Sequence, residues 1–284
     1  MHTLEFPQKQ LIYSIPSDWD ECSDEQVHFI LKAAFEVMEG IISMAQFRIK
    51  VFKYFTGLKL GLRYLIRQKL GLNQKINETI FHCSQELCDW IFVKKDEDNY
   101  ELNYETIINY FKTIGEYYGP EDLLADLTLS EFKTALNFLN QYFDFKENEE
   151  DAETYLNYFM ATIYRPKNHI EQKVSFHGYI LEPEHFKSTP LWIKQVIAIW
   201  FSYCVKCLKE EDLIIDGLEI NLSSLFPEPS EKINNRKINF GWTGVMLEIA
   251  ESGVFGNSEQ TGKTLLYDIL LYLLKNHQDQ AKQK

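Results

Sequence analysis

LWIKQVIAIWFSYCVKCL, residues Leu191 to Leu208, is the most apolar stretch of this chain and decides its fold class. It is barely long enough to cross a bilayer, and it carries Lys194, Gln195 and Lys206. We therefore predict a buried central helix rather than a membrane span. Thr189-Pro190, directly before it, is typical of a helix start with Thr as the cap and Pro at the first helical position.

The sequence on either side of this stretch is also typical of helices. Gly and Pro are scarce, at 13 and 8 of 284 residues, so few positions can interrupt a helix. Ser23 with Gln26, and Thr128 with Glu131, have the spacing of capping boxes, in which two side chains satisfy the first free amides of a helix. Apolar residues recur at helical spacing after both pairs, so each pair predicts the start of a helix with one apolar face.

Short extended segments interrupt this helical pattern. The opening stretch from Leu4 to Pro16 contains prolines that forbid a continuous helix, and the charged run KKDEDNY, residues 94–100, is typical of a turn between two short strands. Asp216-Gly217 within LIIDGLEINL is the favoured pair for a tight hairpin. Residues 174–181 form a further candidate strand, whereas Tyr104 to Ile114 is predicted to be helical.

The fold class that follows is mainly α. We predict a multi-helix, bundle-like body with short β-hairpin excursions and a small C-terminal helical unit. Pro227, Pro229 and several polar residues predict a flexible linker or surface loop at residues 226–239. That loop would separate a helical body, residues 1–225, from a C-terminal helical pair and polar tail, residues 240–284.

The net charge of −13 limits the partners that this chain can have. A duplex nucleic-acid binder needs Lys and Arg to neutralise phosphates, and an acidic chain is repelled by anionic membranes, so neither partner is expected. Residues 1–20 have no apolar core of a signal peptide, which predicts a cytoplasmic protein. The basic, aromatic stretch from Phe47 to Lys69 could contact an acidic partner, although a solvated helix face is the simpler interpretation.

The five cysteines are expected to be reduced thiols in a cytoplasm. Cys204 and Cys207 form a CxxC, and His82, Cys83 and Cys88 lie near one another in a second predicted helix. Four of these side chains could in principle hold zinc. A CxxC inside an aromatic helix is more typical of two small buried side chains, so we predict core thiols.

Motifs of the common catalytic sites, such as HExxH, GxSxG and GxGxxG, do not occur in the sequence. His169, His177 and His185 are spaced eight apart with glutamates among them, and they form a further cluster that could bind a metal or transfer protons. Histidines in a polar loop are also common without any such role. We predict no catalytic residue, no metal site and no cofactor.

The segment VFGNSEQTGKTLLYDILLYLL, residues 254–274, comes close to a phosphate-binding loop that opens a helix. That loop needs a Gly, four residues and then Gly-Lys-Ser/Thr. Gly262-Lys263-Thr264 supplies the second half, but Asn257 stands where the first Gly is required and Gly256 lies one residue too far away. Only 20 residues follow Thr264, too few for the further strands of a nucleotide-binding domain. We therefore predict a polar turn and a helix start.

The helix predicted after this turn is apolar over more than half of its circumference. The side chains that form this surface are Leu265, Leu266, Ile269, Leu270, Leu273 and Leu274. Such a helix needs a covering surface. Either it docks on the body and on the preceding helix, Thr243 to Ser252, or it offers an apolar face to another protein.

Four segments carry a resemblance to a known group of proteins. They are SIPSDWDECSDEQ (14–26), GPEDLLADLTLSEFKTA (119–135), LNYFMATIYRPKN (156–168) and FGWTGVMLEIAESGVFGNSEQTGKTLLYDILLYLL (240–274). In this arrangement the chain resembles uncharacterised proteins of tailed phages and prophages from Bacteroidetes hosts. The last segment is similar to the end of siphophage tail-assembly chaperones, where a tryptophan precedes a polar turn and an apolar helix.

The resemblance implies a non-enzymatic role in virion morphogenesis, in the host cytoplasm. A tail-assembly chaperone coats the tape-measure protein, a long helical rod, until tail tube subunits replace it. The resemblance then implies contact residues in the C-terminal helices: Trp242, Val245, Ile249, Phe255, Leu266, Ile269 and Leu273. A homo-oligomer is compatible with this role.

Two alternatives stay open at the level of the sequence. One is a virion structural subunit, such as a connector or a head–tail adaptor, which stays in the particle. The other, less favoured, is a metal-dependent enzyme that uses the loop from His169 to His185.

Overall fold

The computed structural model divides the chain into two compact units, Met1–Thr106 and Ile107–Lys284. The residues it describes are 1–6, 11–58, 61–95, 100–145, 148–166, 181–215, 217–226 and 241–282. Ten α-helices and four small antiparallel sheets lie in these ranges, which confirms the predicted mainly α class with short β segments. Residues 227–240 lie outside the described residues, so the predicted division into 1–225, 226–239 and 240–284 stays a prediction.

The first unit has two β-hairpins and four helices in its described part. In chain order they are β1 (His2–Phe6), β2 (Leu11–Ile15), α1 (Asp24–Met38), α2 (Met44–Thr56), α3 (Leu62–Lys69), α4 (Gln74–Cys88), β3 (Phe92–Lys94) and β4 (Tyr100–Leu102). β1 pairs with β2 and β3 with β4, so both predicted extended regions of this unit are confirmed. Ser23 and Gln26 form both hydrogen bonds of the predicted capping box at the start of α1.

Trp19, which comes just before α1, lies in an aromatic cluster of the first unit. Its ring stands edge-on to those of Trp90 and Tyr104, with centroids 4.9 and 4.8 Å away. Its indole N–H donates to the Asn103 carbonyl at 2.6 Å, which satisfies the one polar group of a side chain that is only 2% exposed. This tryptophan therefore joins the start of α1 to the chain that follows β4.

The second unit contains six helices and two sheets in its described part. In chain order the elements are β5 (Thr113–Ile114), β6 (Tyr117–Tyr118), α5 (Leu129–Asp144), α6 (Glu149–Ile163), β7 (Arg165–Pro166), α7 (Leu191–Glu210), β8 (Asp212–Ile215), β9 (Leu218–Asn221), α8 (Gly241–Ser252), α9 (Ser258–Lys263) and α10 (Leu266–Lys282). β5, β6 and β7 form one antiparallel sheet, and β8 pairs with β9.

The predicted central helix is α7, and it lies in the core of the second unit. Trp200, Phe201 and Cys204 are buried, and the Phe201 ring packs against Phe132 of α5 and Phe159 of α6. In the described part of the chain, α7 is the one helix whose length and composition would allow it to cross a bilayer. Core helices of soluble proteins meet the same criterion, and 56% of the most apolar window of α7 is buried within the protein.

Lys194 of α7 is fully buried, although it is charged. Its Nζ lies 2.7 Å from Glu153 Oε1 and 2.8 Å from Asn157 Oδ1, both on α6. A buried ammonium is tolerated when hydrogen bonds and an opposite charge replace its water. This pair therefore fixes how α7 lies against α6.

Two further local predictions can be compared with the structure, and a third cannot. The hairpin around Asp216-Gly217 is confirmed, because β8 and β9 pair antiparallel and Gly217 has the left-handed φ of +78° that such a turn requires. The residue at the cap of α7 is Pro190 and not Thr189, so this helix starts one residue later than predicted. The candidate strand at 174–181 falls almost entirely on residues 167–180, which lie outside the described residues.

The prediction of a helix from Tyr104 to Ile114 is wrong. The Phe111 N–H donates to the side chain of Asn109 at 2.9 Å, and the Asn109 N–H donates to the carboxylate of Asp122 at 2.9 Å. Side chains therefore hold the backbone groups that a helix would use for its own ladder.

Candidate functional site

The C-terminal helix α10 is joined to the start of α5 by backbone hydrogen bonds. The Leu266 N–H donates to the Leu127 carbonyl at 2.8 Å, and the Leu129 N–H donates to the Thr264 carbonyl at 3.0 Å. The two segments run antiparallel at this point, as in a short β-bridge. The chain therefore enters α10 at a fixed position on the second unit.

The first turns of α10 are part of the core. Leu266 and Ile269 are 0% exposed and Leu270 is 1% exposed. The hydroxyl of Tyr267 donates to the Leu123 carbonyl at 2.8 Å. Burial raises the pKa of Tyr267, and the nearby thiols Cys204 and Cys207 add to this effect.

A largely buried network of charges supports the start of α5, where α10 docks. We call Arg165, Glu131, Asp126 and Thr128 the Arg165 network. The guanidinium Nε and Nη2 each lie 3.0 Å from one carboxylate oxygen of Glu131, and Nη1 lies 3.3 Å from Asp126 Oδ2. Glu131 also accepts from the N–H and the hydroxyl of Thr128 at 2.8 Å, which confirms the predicted capping box. A bidentate pair of this kind is strong and directional.

The Arg165 network brings together two of the four segments that carry the resemblance, 119–135 and 156–168. The Leu-Thr-x-x-Glu-Phe motif starts α5, and the Tyr-Arg-Pro motif ends α6. Tyr164, beside Arg165, is fully buried and its hydroxyl donates to the Phe111 carbonyl at 2.6 Å. Its ring lies over Gly119, where an added Cβ would come within 2.8 Å of the ring carbons. Both motifs therefore have a structural role in holding α5, α6 and the chain before α5 together.

Trp242 holds α8 on the same unit. Its ring stands edge-on to Phe132 of α5, with centroids 5.2 Å apart, and tilted against Phe226, with centroids 5.9 Å apart. Met246 and Ile249, one and two turns further along α8, are each 2% exposed. The helix thus buries one face and leaves its other faces exposed.

A groove of about 460 Å³ lies between α8, α10 and the short turn Ser223–Leu225. The apolar side chains that line it are Leu225, Val245, Ile249 and Leu273, together with the ring of Tyr272. The polar side chains around them are Ser224, Glu248, Ser252, Asn276, His277 and Gln280. We call this feature the α8–α10 groove. It has an apolar floor and a rim that carries both donors and acceptors.

Tyr272 is fixed at the edge of the groove. Its hydroxyl lies 3.4 Å from the Ser252 hydroxyl, which itself donates to the Ile249 carbonyl at 2.6 Å. Its ring stands edge-on to Phe255 at 5.3 Å. Hydrogen bonds with Ser252, and then with Asn276, lower the pKa of Tyr272.

The seven contact residues predicted from the resemblance fall into three groups. Val245, Ile249 and Leu273 line the α8–α10 groove, Leu266 and Ile269 lie in the core beneath α10, and Trp242 and Phe255 pack against neighbouring aromatic rings. The structure therefore brings three of the seven together at one surface. The role of all seven in binding a partner stays a prediction.

Most of the residues that line this groove were not predicted from the sequence. Glu248 and Ser252 follow Val245 on α8 at three and seven residues, and Asn276 and Gln280 follow Leu273 on α10 at the same spacing. Residues at this spacing share one face of a helix. The helical period predicts each of the two faces, but no feature of the sequence indicates that the two faces meet.

The Gly-Lys-Thr segment does not have the conformation of a phosphate-binding loop. Asn257 caps α9 and forms a capping box with Gln260, so residues 258–263 are helical. Gly262 is buried, and Lys263 pairs with Glu259 at 2.8 Å along the same helix. The predicted polar turn and helix start are confirmed, with the difference that a separate short helix precedes α10.

The candidate metal ligands are dispersed in the described part of the chain. Cys204 and Cys207 are buried in α7, and burial raises the pKa of the Cys204 thiol. Burial also raises the pKa of Cys88 to about 12. His185 is exposed beside the ring of Tyr117, while His169 and His177 lie outside the described residues. Within the described residues, no three His, Cys, Asp or Glu side chains come together as a metal site would require.

The α8–α10 groove is suited to hold a short row of apolar side chains from a helix, with hydrogen bonds at its edges. A row at helical spacing would meet the floor, and polar neighbours on the same helix would meet the rim.

No family model, no curated protein and no solved structure matches this chain.

Proposed function

We propose that the protein is a non-enzymatic phage morphogenesis protein that binds a helical segment of another phage protein, of the tape-measure kind, during tail assembly. The observation that carries this proposal is the α8–α10 groove, because three of the residues that the resemblance implies as contacts line it together. The protein would act in the host cytoplasm, where tails are assembled.

The chemistry of the groove fits an amphipathic helix as the ligand. Val245, Ile249 and Leu273 offer a floor that excludes water from apolar side chains, and burial of such side chains is the main source of binding energy. Glu248, on the rim, can meet a polar or basic side chain at the edge of a bound helix. A volume of about 460 Å³ holds a few side chains and not a whole helix. The contact at one site would thus be weak and reversible, as a chaperone that is later displaced requires.

Co-expression with the tape-measure protein of the same phage, followed by affinity capture, tests the proposal. We expect the two proteins to co-purify. Val245→Asp places a charge on the apolar floor and should abolish capture, because an unpaired charge would be buried in the complex. Leu247→Asp is the matched control: Leu247 is on the same helix, is 46% exposed and lies outside the groove, so this variant should be captured like the native protein.

Analysis of purified virions by mass spectrometry separates the proposed chaperone from a virion subunit. A chaperone leaves before the tail is complete, so its peptides should be missing from washed particles. Their presence in stoichiometric amounts would favour a connector or head–tail adaptor. Failure of the native protein to co-purify with the tape-measure protein would contradict the proposal itself.

A further inference from the structure

The charges of the first unit are unevenly distributed along its chain. Between Gly40 and Asn77 the sequence has eight Lys or Arg residues and no Asp or Glu, although the whole chain has a net charge of −13. This basic segment contains α2, α3 and the start of α4. Within α2, Arg48 pairs with Asp89 and Lys50 with Glu36, so the basic residues at the turn between α3 and α4 are Arg67, Lys69 and Lys75. Screening limits electrostatic effects to roughly 10 Å at ordinary ionic strength. The local charge, and not the net charge, therefore decides what can approach this surface.

The turn between α3 and α4 exposes two leucines in the middle of the basic segment. Leu70 is 66% exposed and Leu72 is 59% exposed, and Gly71 lies between them. Ile66, one turn earlier on α3, is 51% exposed, and Ile76 on α4 is 46% exposed. Four large apolar side chains are thus exposed within eleven residues, which makes this turn a candidate interaction surface.

Hydrogen bonds hold this turn in one conformation. The Leu72 N–H donates to the Arg67 carbonyl at 2.9 Å and the Gly71 N–H donates to the Gln68 carbonyl at 3.1 Å. This is the Schellman pattern, and Gly71 has the left-handed φ of +69° that it requires. The residue that follows the glycine in this pattern commonly packs back on its helix, whereas Leu72 stays exposed.

A buried asparagine fixes the two helices on either side of the turn. Asn73 is 2% exposed, and its Nδ2 donates to the Tyr64 carbonyl at 2.7 Å. Its Oδ1 accepts from Arg67 Nε at 3.3 Å, and Arg67 Nη2 donates to the Leu72 carbonyl at 3.4 Å. The turn that carries the leucines is therefore ordered before binding, so little further conformational entropy is lost when the leucines bind.

We propose that the α3–α4 turn docks on a membrane surface that contains anionic lipid. Leu70 and Leu72 enter the boundary between headgroups and acyl chains, while Arg67, Lys69 and Lys75 contact the phosphates around them. Apolar area and attraction to anionic lipid add together in binding of this kind. An acidic peptide would satisfy the charges and could enter the cavity of about 590 Å³ between α2, α3 and α4. Neither Leu70 nor Leu72 lines that cavity, so a peptide bound there would leave both leucines in water. The lipid surface satisfies both features at once.

The β8–β9 hairpin provides a natural control for this proposal. It exposes Ile214 by 80% and Leu218 by 66%, as much apolar surface as the α3–α4 turn. Its charged neighbours are Asp212 and Glu219, which anionic headgroups repel. The hairpin therefore exposes apolar side chains beside acidic residues, in the same chain as the α3–α4 turn.

Flotation of the full-length protein with lipid vesicles tests the proposal. We expect the native protein to float with vesicles of phosphatidylcholine and phosphatidylglycerol, not with phosphatidylcholine alone, and to be released by added salt. Leu70→Ser with Leu72→Ser should abolish flotation. Each of Lys69→Ala and Lys75→Ala should weaken it roughly 5-fold, which is the contribution of one basic residue near an anionic surface. Ile214→Ser with Leu218→Ser should float like the native protein.

The replaced side chains are exposed, so all variants should keep the circular dichroism spectrum and melting temperature of the native protein. The proposal is overturned if the native protein does not float with anionic vesicles, or if the hairpin variant loses as much binding as the turn variant. It is also overturned if soluble polyglutamate captures the native protein while vesicles do not, because the partner would then be an acidic polypeptide.

Discussion

The leucine-rich stretch that begins α10, Leu266 to Leu274, has different surroundings along its length. We call Leu266 to Leu270 the first half of this stretch and Leu271 to Leu274 its second half. In the first half, Leu266, Ile269 and Leu270 are at most 1% exposed, and backbone bonds to the start of α5 hold the helix in place. In the second half, Tyr272 and Leu273 are half-buried and line the α8–α10 groove. One helix therefore continues from the core to an open surface.

This difference shows that an apolar face does not determine its own role. The same leucine-rich pattern is core where α5 covers it and surface where only α8 lies alongside. A residue chosen as a partner contact because it is apolar can therefore be needed first for folding. Experiments on this helix therefore have to separate an effect on folding from an effect on binding.

The largest effect is expected where the support of the first half is removed. Arg165→Ala leaves the carboxylate of Glu131, whose side chain is 5% exposed, buried without its partner. Removal of one member of a buried ion pair costs about 3–5 kcal/mol. Urea denaturation should show this loss in the free energy of unfolding. The exposed pair Lys263–Glu259 is the control, since Lys263→Ala should cost less than about 1 kcal/mol.

Paired alanine substitutions within α10 compare the two halves of the leucine-rich stretch directly. Ile269→Ala should lower the free energy of unfolding by about 2–5 kcal/mol, because it opens a cavity in a fully buried site. Leu273→Ala should cost about 1 kcal/mol, since the side chain is only partly removed from water. Well below the melting temperatures of both variants, Leu273→Ala should reduce capture by the tape-measure protein more than Ile269→Ala does. Equal losses of stability would show that the groove is closed in solution.

The pKa values of the two tyrosines of α10 should be shifted in opposite directions. Burial raises the pKa of Tyr267, whereas hydrogen bonds with Ser252 and Asn276 lower that of Tyr272. Subtraction of alkaline absorbance titrations of Tyr267→Phe and Tyr272→Phe from that of the native protein isolates each phenol. We expect the Tyr272 step below the ordinary tyrosine pKa of about 10, and the Tyr267 step only when the protein unfolds in alkali.

The sign of the effect on stability follows from the raised pKa of Tyr267. Below a pH of about 10 the phenol is neutral in both the folded and the unfolded protein, so it adds no pH dependence. Above that pH the unfolded protein ionises first, and the free energy of unfolding falls as the pH rises. Tyr267→Phe should make this fall shallower. A fall unchanged by the substitution would contradict burial of Tyr267.

Local signals in the sequence were sufficient for the elements that depend on neighbouring residues. Ser23 with Gln26 and Thr128 with Glu131 specify helix starts by bonds within four residues, and Asp216-Gly217 specifies its own turn. The helix predicted at Tyr104–Ile114 is wrong because its backbone groups are held by side chains such as that of Asp122, which local periodicity does not include.

The candidate site was only partly predictable, for a related reason. Which face of α10 becomes core depends on the bonds between Leu266 and Leu127, and no local pattern encodes an attachment between such distant residues. The spacing of Val245 with Ser252, and of Leu273 with Gln280, indicates two helix faces. That these faces enclose a groove is a property of the tertiary packing.

Hydrogen exchange of the protein alone and with the tape-measure protein distinguishes the two proposed roles of α10, in which Leu266 to Leu270 are core and the residues from Tyr272 to Gln280 bind a partner. We expect the amides of Leu266 to Leu270 to exchange slowly in both samples. Those of Tyr272 to Gln280, and of Val245 to Ser252, should exchange faster in the free protein and slow down in the complex. Protection that arises only outside α8 and α10, with these two segments unchanged, would contradict the account.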